Sequence, residues 1–343
     1  MATINDVAKK AGVSKMTVSR VINNSGYVKE GTRRLVNSII KEMEFRPSMI
    51  AKRLATQQSN TIAYVMVNLA DPYHTHLYKG METYCYKQGY IALICDAYSK
   101  KREQDYVNML IDHGIDGAVF HHLDITQKQL AQLKKSGVTC LLIDNERDYP
   151  DICSVNANDY LGGRMAVDCL VSKGHKRIGC IHGVLKHPGG KNIPYEDTFQ
   201  YEIWRQRTKG FLDRMEELNL KSSYLFQGNG LDDMARECMP VILDAITSMP
   251  VPLTAVYCEN DTMAVALLNI MLERGMRAPD DLAIIGQDGV FISRLLHPYI
   301  TTISQPKYEL GYKAAEIIIE QLEKGGDCKK VTLDPKLIIG ETA

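Results

Sequence analysis

Net charge is absent from this chain. Its 41 basic side chains balance 41 acidic ones, so the overall charge points neither toward nucleic acid nor away from it. Long apolar runs are missing as well. No stretch reaches the roughly 18 continuous apolar residues of a membrane span, and no apolar segment follows a basic one at the N-terminus, which predicts a cytoplasmic protein with no membrane partner. The nine cysteines (Cys85, Cys95, Cys140, Cys153, Cys169, Cys180, Cys238, Cys258 and Cys328) include no Cys-x-x-Cys pair and fall mostly within apolar runs, so they read as buried, reduced thiols. Signatures of catalysis are lacking too. There is no Gly-x-Ser-x-Gly elbow, and the run His187-Pro188-Gly189-Gly190-Lys191 has neither the spacing nor the Ser/Thr of a phosphate cradle. His74-Thr75-His76 and His121-His122 place their imidazoles on different helix faces, with no Cys or carboxylate to complete a ligand set. The expectation is a protein that is not an enzyme and holds neither metal nor cofactor.

What is present is an uneven distribution of charge. Residues 1–60 hold eleven basic side chains (Lys9, Lys10, Lys15, Arg20, Lys29, Arg33, Arg34, Lys41, Arg46, Lys52, Arg53) against Asp6, Glu30, Glu42 and Glu44, a net +7, and the other 283 residues therefore carry −7. A basic head on an acidic body attracts phosphate at one end only. At 343 residues the chain is long enough for two or three domains.

Within that head, residues 3–23 read as two short helices and a tight turn. Ile4, Val7, Ala8 and Ala11 recur at helical spacing, Thr3 with Asp6 makes a capping box, and Gly12 supplies the positive φ that ends the helix. Ser14 caps a second helix with Val18, Val21 and Ile22 on one face and Lys15, Met16, Ser19 and Arg20 elsewhere, a polar and basic surface suited to the major groove. A third helix follows over Gly31 to Met43, with Leu35, Val36, Ile39, Ile40 and Met43 as its apolar face. Pro47 to Leu54 is too short to hold a helix alone, and the polar run Thr56 to Asn60 reads as a linker.

From Thr61 the rhythm changes to strand then helix. Strands are expected at Ile62–Val67, Ile91–Cys95, Gly117–Phe120, Thr139–Asp144, Arg177–His182, Ser223–Gln227, Ala255–Cys258, Leu282–Gly286 and Thr301–Ser304. Amphipathic helices are expected at Tyr78–Lys87, Arg102–His113, Gln127–Lys135, Tyr160–Lys173, Arg207–Leu218, Asp261–Arg274 and Lys307–Lys324. Such alternation means parallel sheets covered by helices, and about nine units suggest two sheets. A faint internal echo agrees: Lys79-Gly80-Met81 opens a helix in the first half and Lys209-Gly210-Phe211 one in the second. Ligands of open α/β sheets bind beyond the carboxyl ends of strands. There stand Asp71-Pro72-Tyr73-His74, Asp144, Glu259-Asn260-Asp261 and Gly286-Gln287-Asp288, with Arg207 opening a helix. Carboxylates, an amide and a guanidinium fork suit a small polar ligand.

The runs Asp6-Val7-Ala8, Gly12-Val13-Ser14, Thr17-Val18-Ser19, Val21-Ile22-Asn23, Arg46-Pro47-Ser48 and Ala51-Lys52-Arg53-Leu54 closely resemble the DNA-binding head of the lactose-repressor/galactose-repressor family, and the resemblance continues to about Leu337. It implies an all-α helix-turn-helix head at 1–46 and a hinge and linker at 47–60. A two-lobed α/β domain with parallel sheets, similar to periplasmic binding proteins, then fills 61–343 (one lobe about 61–157 plus 306–332, the other about 158–305 plus 333–343). DNA contacts then fall to Ser14, Lys15, Met16, Thr17, Arg20, Asn23 and Tyr27 in the head, with Ala51 and Leu54 in the hinge and Leu54 as a minor-groove wedge. The family's effector contacts match Arg207, Asn260, Asp261 and Asp288, and the strand-end positions add Tyr73, His74 and Asp144 to the expected effector site. The implied function is a homodimeric regulator, a repressor of transcription, that binds double-stranded operator DNA and a small effector in the cleft. Family analogy favours a carbohydrate over a purine or a phosphorylated partner protein. Arg207→Ala and Asp288→Asn are then expected to abolish the effector response and leave the fold intact.

Two departures bear on the ligand. Phe226-Gln227-Gly228-Asn229-Gly230 has glycine where relatives often place an aromatic stacker, and the long connection from His182 to Gln206 holds Tyr195, Tyr201 and Trp204. That connection reads equally as a restored stacking surface or as a lid or surface elaboration. Two rivals remain, a sugar-binding transport protein, opposed by the basic head and missing export signal, and an α/β enzyme fused to a DNA-binding head.

Overall fold

The computed structural model divides into two units, Met1–Ser59 and Asn60–Ala343. It describes residues 2–45, 58–97, 100–121, 125–145, 147, 149–183, 202–220, 224–228, 232–295 and 297–343, without the side chains of 100, 202–204 and 232–234. Ala51 and Leu54 of the expected hinge, Tyr195, Tyr201, the side chain of Trp204, His122, His187 to Lys191 and Asn229-Gly230 lie outside the described residues.

In the head, α1 spans Ile4–Ala11. The Thr3 hydroxyl accepts from the Asp6 amide and the Asp6 carboxylate accepts from the Thr3 amide, so two otherwise unsatisfied donors are met. Gly12 ends the helix at φ 65°, a left-handed conformation that disfavours any Cβ. Helix α2, Lys15–Ile22, starts from Ser14, whose hydroxyl accepts from the Thr17 amide at 3.1 Å. Helix α3 spans Glu30–Glu42. Val7, Ala8, Ala11, Val18, Val21, Val36, Ile39 and Phe45 form the head's core. Leu35, expected on the inner face of α3, is instead exposed.

The larger unit holds two six-stranded sheets. The first runs β11-β5-β4-β3-β1-β2, where β1 is Thr61–Met66, β2 Ile91–Asp96, β3 Gly117–His121, β4 Thr139–Ile143, β5 Cys153–Ala157 and β11 Lys330–Leu333. The second runs β12-β10-β9-β8-β6-β7, with β6 Ile178–Gly183, β7 Leu225–Gly228, β8 Ala255–Cys258, β9 Ala283–Asp288, β10 Thr301–Ser304 and β12 Lys336–Ile338. Every pairing is parallel except β10 with β12. Central strands β3, β6 and β9 are buried along their whole length, as a parallel sheet covered on both faces requires.

The first sheet is covered by α4 (Pro72–Lys87) and α11 (Lys307–Lys324) on one face and by α5 (Lys100–Asp112) and α6 (Gln127–Lys135) on the other. The second lies between α7 (Asp159–Ser172) with α8 (Glu202–Glu217) and α9 (Asp232–Thr247) with α10 (Asp261–Glu273). The chain passes between sheets three times: from Ala157 to Asp159, from Ser304 to Lys307 and from Leu333 to Lys336. The internal echo has a packing cause. A Cβ on Gly80 of α4 would strike the carbonyl of Tyr308 in α11, and one on Gly210 of α8 would strike the carbonyl of Tyr160 in α7, so each lobe has one helix pair in backbone contact.

Three strands and a helix went unread in the sequence. β5, β11 and β12 are short and partly polar, and α9 contains Pro240 in its interior, a residue that ordinarily breaks a helix. Helix α4 begins six residues earlier than expected because Asp71 caps it and Pro72 occupies its first position, where no amide hydrogen is needed.

Candidate functional site

The outer side of α2 and the turn after it present Lys15, Met16, Arg20, Asn23 and Tyr27 to solvent, with Thr17 half-buried and Met16 and Tyr27 65% and 84% exposed. Exposed Met and Tyr side chains beside two cations form a surface that the head's own core does not use. Ser14 is engaged as the cap of α2, and its hydroxyl also lies 3.0 Å from that of Thr17. A Cβ on Gly26 would meet the Arg20 side chain, so the chain turns closely past the guanidinium stem.

In the larger unit, the carboxyl ends of the central strands bring two buried polar clusters together. The first belongs to the β1-β3-β4 sheet. Asp144, just past β4, accepts from the Tyr73 hydroxyl at 2.9 Å and from the Ala157 amide at 2.7 Å, and lies 3.1 Å from His121 Nε2. His121 Nδ1 is 2.5 Å from the Tyr64 hydroxyl and 3.1 Å from His74 Nδ1. Burial, then the Asp144 charge, pushes the Tyr64 and Tyr73 phenols well above their usual range, so both remain donors.

The second cluster centres on Arg207 in α8. Its Nε donates to Asp159 Oδ1 at 2.7 Å, Nη1 donates to the Glu259 carbonyl, and Nη2 lies 3.0 Å from Asp288 Oδ1 in an ion pair too poorly aligned for a hydrogen bond. Burial works against the guanidinium charge, but Asp159 and then Asp288 outweigh it and hold Arg207 protonated. Gln287 and Gln305 both donate to Asp159 Oδ1, at 3.0 and 2.7 Å. Glu259 is bonded by the Thr208 hydroxyl and the Gly183 amide, yet burial dominates and lifts its pKa to about 8. Burial also raises Asp288 to about 7, opposed by Arg207 and reinforced by Asp71 from the other lobe.

Asp144 and Asp288 share a further property. They sit at the ends of equivalent strands of the two sheets and hold φ of 47° and 110°, a left-handed region that Asp enters more readily than most residues with a Cβ. The clusters face each other closely enough that Asp159, Asp288 and Arg207 all act electrostatically on Tyr73. Tyr73, His74, Asp144, Arg207 and Asp288 thus come together. Asn260 is also buried, with its side-chain oxygen capping α10 through the Met263 amide. Asp261 is a brace: one oxygen accepts from the Thr302 hydroxyl at 2.6 Å and the other from the Val290 amide at 2.8 Å, which fixes the turn after β9.

Sequence reasoning missed Tyr64, His121, Asp159 and Gln305. The strand-end rule reaches His121 and Gln305, at the ends of β3 and β10; Asp159 escaped because β5 before it was unread, and Tyr64 because it lies inside a strand. Among the described residues no group of three or more His, Cys, Asp or Glu side chains is placed to hold a metal ion.

Residues 3–48 match the model for bacterial regulatory proteins of the lacI family, and residues 167–343 match a periplasmic binding protein-like domain. The HTH-type transcriptional repressor PurR of Vibrio vulnificus (strain CMCP6) is 31% identical over 351 residues, covering 100% of this chain and 98% of that protein. The repressor of the same name from Aliivibrio salmonicida (strain LFI1238) is 33% identical over 327 residues, 94% of this chain and 93% of that protein. Among solved structures, the lac repressor dimer bound to operator and the anti-inducer ONPF is similar with a TM-score of 0.84 at 22% identity, over 99% of this chain and 98% of that one. A periplasmic binding protein/LacI transcriptional regulator from Alkaliphilus metalliredigens QYMF complexed with D-xylulofuranose gives 0.69 at 26% identity, over 83% of this chain and 99% of that one.

Proposed function

Because the chain belongs to the lacI family of bacterial regulatory proteins and is a DNA-binding transcriptional repressor, we propose that the two facing clusters form the effector site that sets its affinity for operator DNA. The observation that carries this reading is Arg207, a buried guanidinium between Asp159 and Asp288 and opposite the Tyr73–Asp144 pair of the other lobe. Effector contacts are assigned to Tyr73, His74, Asp144, Arg207, Asn260 and Asp288, with Asp261 holding the Asp288 turn in place. A ligand bridging the two sets changes the angle between lobes and so biases the head.

The effector proposed is a carbohydrate. Carboxylates accept from hydroxyls, and a guanidinium and a protonated phenol donate to them, and the Alkaliphilus regulator is complexed with D-xylulofuranose. The protein acts in the cytoplasm as a homodimer, with head 1–46, hinge 47–60 and effector domain 61–343. On the DNA side, Lys15, Met16 and Arg20 read bases, Arg20 through the O6/N7 edge of guanine. Ser14, Thr17, Asn23 and Tyr27 support them at bases or phosphates, and Ala51 and Leu54 lie against the minor groove. A thermal-shift screen of the full chain with pentoses, hexoses, disaccharides and nucleobases tests the assignment, since a ligand bound only by the folded state raises the melting temperature. A sugar that does so, with the shift lost in Asp288→Asn, supports it. A nucleobase acting where no sugar does overturns the carbohydrate assignment.

A further inference from the structure

Helix α11 starts against its own dipole. Its first residue, Lys307, puts an ammonium at the N-terminus of an 18-residue helix, where positive charge is disfavoured, and no side chain caps that end. At the equivalent place in the other lobe, α7 starts with Asp159, whose charge has the favoured sign. Lys307 is nonetheless buried, only 7% exposed. Its Nζ donates to three backbone carbonyls, those of Asp288, Gly289 at 3.1 Å and Gln305 at 3.2 Å, so a carbonyl cage takes up all three ammonium hydrogens.

That cage joins two bodies. Asp288 ends β9 of the second sheet and Gly289 follows it, and their consecutive left-handed conformations, φ 110° and 66°, accompany carbonyls that meet Nζ while the Asp288 carboxylate meets Arg207. Lys307 itself belongs to α11, which covers the first sheet. There α11 is locked to α4, because a Cβ on Gly311 would strike the carbonyl of Leu77 and one on Gly80 the carbonyl of Tyr308. Tyr84 and Tyr312 add an edge-on ring contact at 5.0 Å. The first turn of α4 bears Tyr73 and His74.

We propose that Lys307 is a positioning residue that ties the Asp288 turn of one lobe to the α4/α11 pair of the other, so that a ligand displacing Asp288 also displaces the wall bearing Tyr73 and His74. The ammonium cage is the latch, and the glycine crossing makes the two helices one lever. This role rests on the reading of the cleft as an effector site, but its test needs no effector.

Amide hydrogen exchange, read by mass spectrometry on the full chain, compares the parent with Lys307→Met, which removes all three donors, and with Lys307→Gln, which keeps two. Losing the cage opens the turn at 288–290 and the start of α11 in Lys307→Met, with exchange accelerated about tenfold or more there. The lever predicts a parallel acceleration in peptides covering 71–77, whose atoms are not among the three carbonyls that Lys307 Nζ bonds, and smaller changes at both places in Lys307→Gln. Acceleration confined to 288–290 and 305–310 means a local cap and overturns the proposal. So does an unchanged pattern, and so does uniform acceleration along the chain, the mark of general destabilisation. If Lys307→Met does not fold, Lys307→Gln decides by the same comparison. A ligand screen that finds no binder would defeat the effector reading and leave this result standing.

Discussion

Replacing Arg207 with alanine should damage the fold, not only the response to ligand. The guanidinium is buried among Asp159, Asp288 and the Glu259 carbonyl, so its removal strands two buried carboxylates. Breaking a buried ion pair by deleting one partner typically costs about 3–5 kcal/mol, a large part of the roughly 5–15 kcal/mol that stabilises a domain. At roughly 2–4 °C per kcal/mol for a unit of this size, melting should fall by roughly 6–20 °C at pH 8. The deficit should shrink as pH falls. Without Arg207 the folded-state pKa of Asp288 rises further above its unfolded value, so the folded variant binds more protons than the unfolded chain up to a higher pH than the parent does, and its stability falls more steeply with rising pH. Circular dichroism melts at pH 6 and pH 8, with Asp288→Asn added to Arg207→Ala, measure this; the second change should return part of the loss. An Arg207→Ala protein melting within about 2 °C of the parent at pH 8 would refute the reasoning. The expectation drawn from sequence, that this variant stays intact, is therefore corrected by the burial of its partners, and Asp288→Asn is the milder probe.

Three further outcomes follow from the same geometry. Gly12→Ala should destabilise the head by roughly 1–2 kcal/mol from its left-handed φ alone, since no atom lies within 4 Å of the added Cβ; an unchanged thermal transition of the head would contradict this. Burial, then the Asp288 charge, raises Asp261 to about 7 in the folded chain, above its unfolded value near 3.9. It therefore contributes a stability loss as pH rises from about 4 to about 8, through its folded pKa, of which roughly 1.4 kcal/mol falls between pH 6 and 8; Asp261→Asn should flatten that part of the melting profile, and a profile as steep as the parent's would rule it out. Binding to a pseudo-palindromic duplex should weaken about 10³-fold or more between 50 and 200 mM salt if a dimer, with residues 1–60 of each chain carrying +7, makes six or more phosphate contacts, whereas a flat response would remove phosphate neutralisation as its basis.

Much of this was legible in the sequence because each local rule had a local cause. Thr3, Asp6, Gly12 and Ser14 delimit the head's first two helices through bonds made within four residues, and these appear as expected. The parallel sheets were visible in unbroken apolar runs such as Ile62 to Met66 and Ala283 to Ile285. What escaped depends on contacts distant in sequence. β11 exists only because Lys330 to Leu333 pair with Ser154 to Ala157, and β12 because it closes on β10. Within the site, strand ends pointed to Asp144 and Asp288, and Arg207, expected to open a helix, lies inside one that begins at Glu202, but nothing near Gln305 announces that its amide donates to Asp159, 146 residues earlier. Nor could spacing distinguish Asp261, held as a brace by Thr302 and Val290, from the carboxylates that face the cleft.

The most direct test of the central claim, that the Arg207–Asp288 cleft governs operator binding by the head, is operator affinity of the full chain measured by fluorescence anisotropy. Parent and Asp288→Asn are compared with and without a saturating concentration of the ligand that the thermal-shift screen identifies. A coupling of about 1–3 kcal/mol predicts that the ligand changes the parent's affinity roughly 5- to 150-fold, with Asp288→Asn changing less than about twofold at the same concentration. A parent whose operator affinity is indifferent to a bound ligand, or an Asp288→Asn variant that responds as the parent does, would contradict the account.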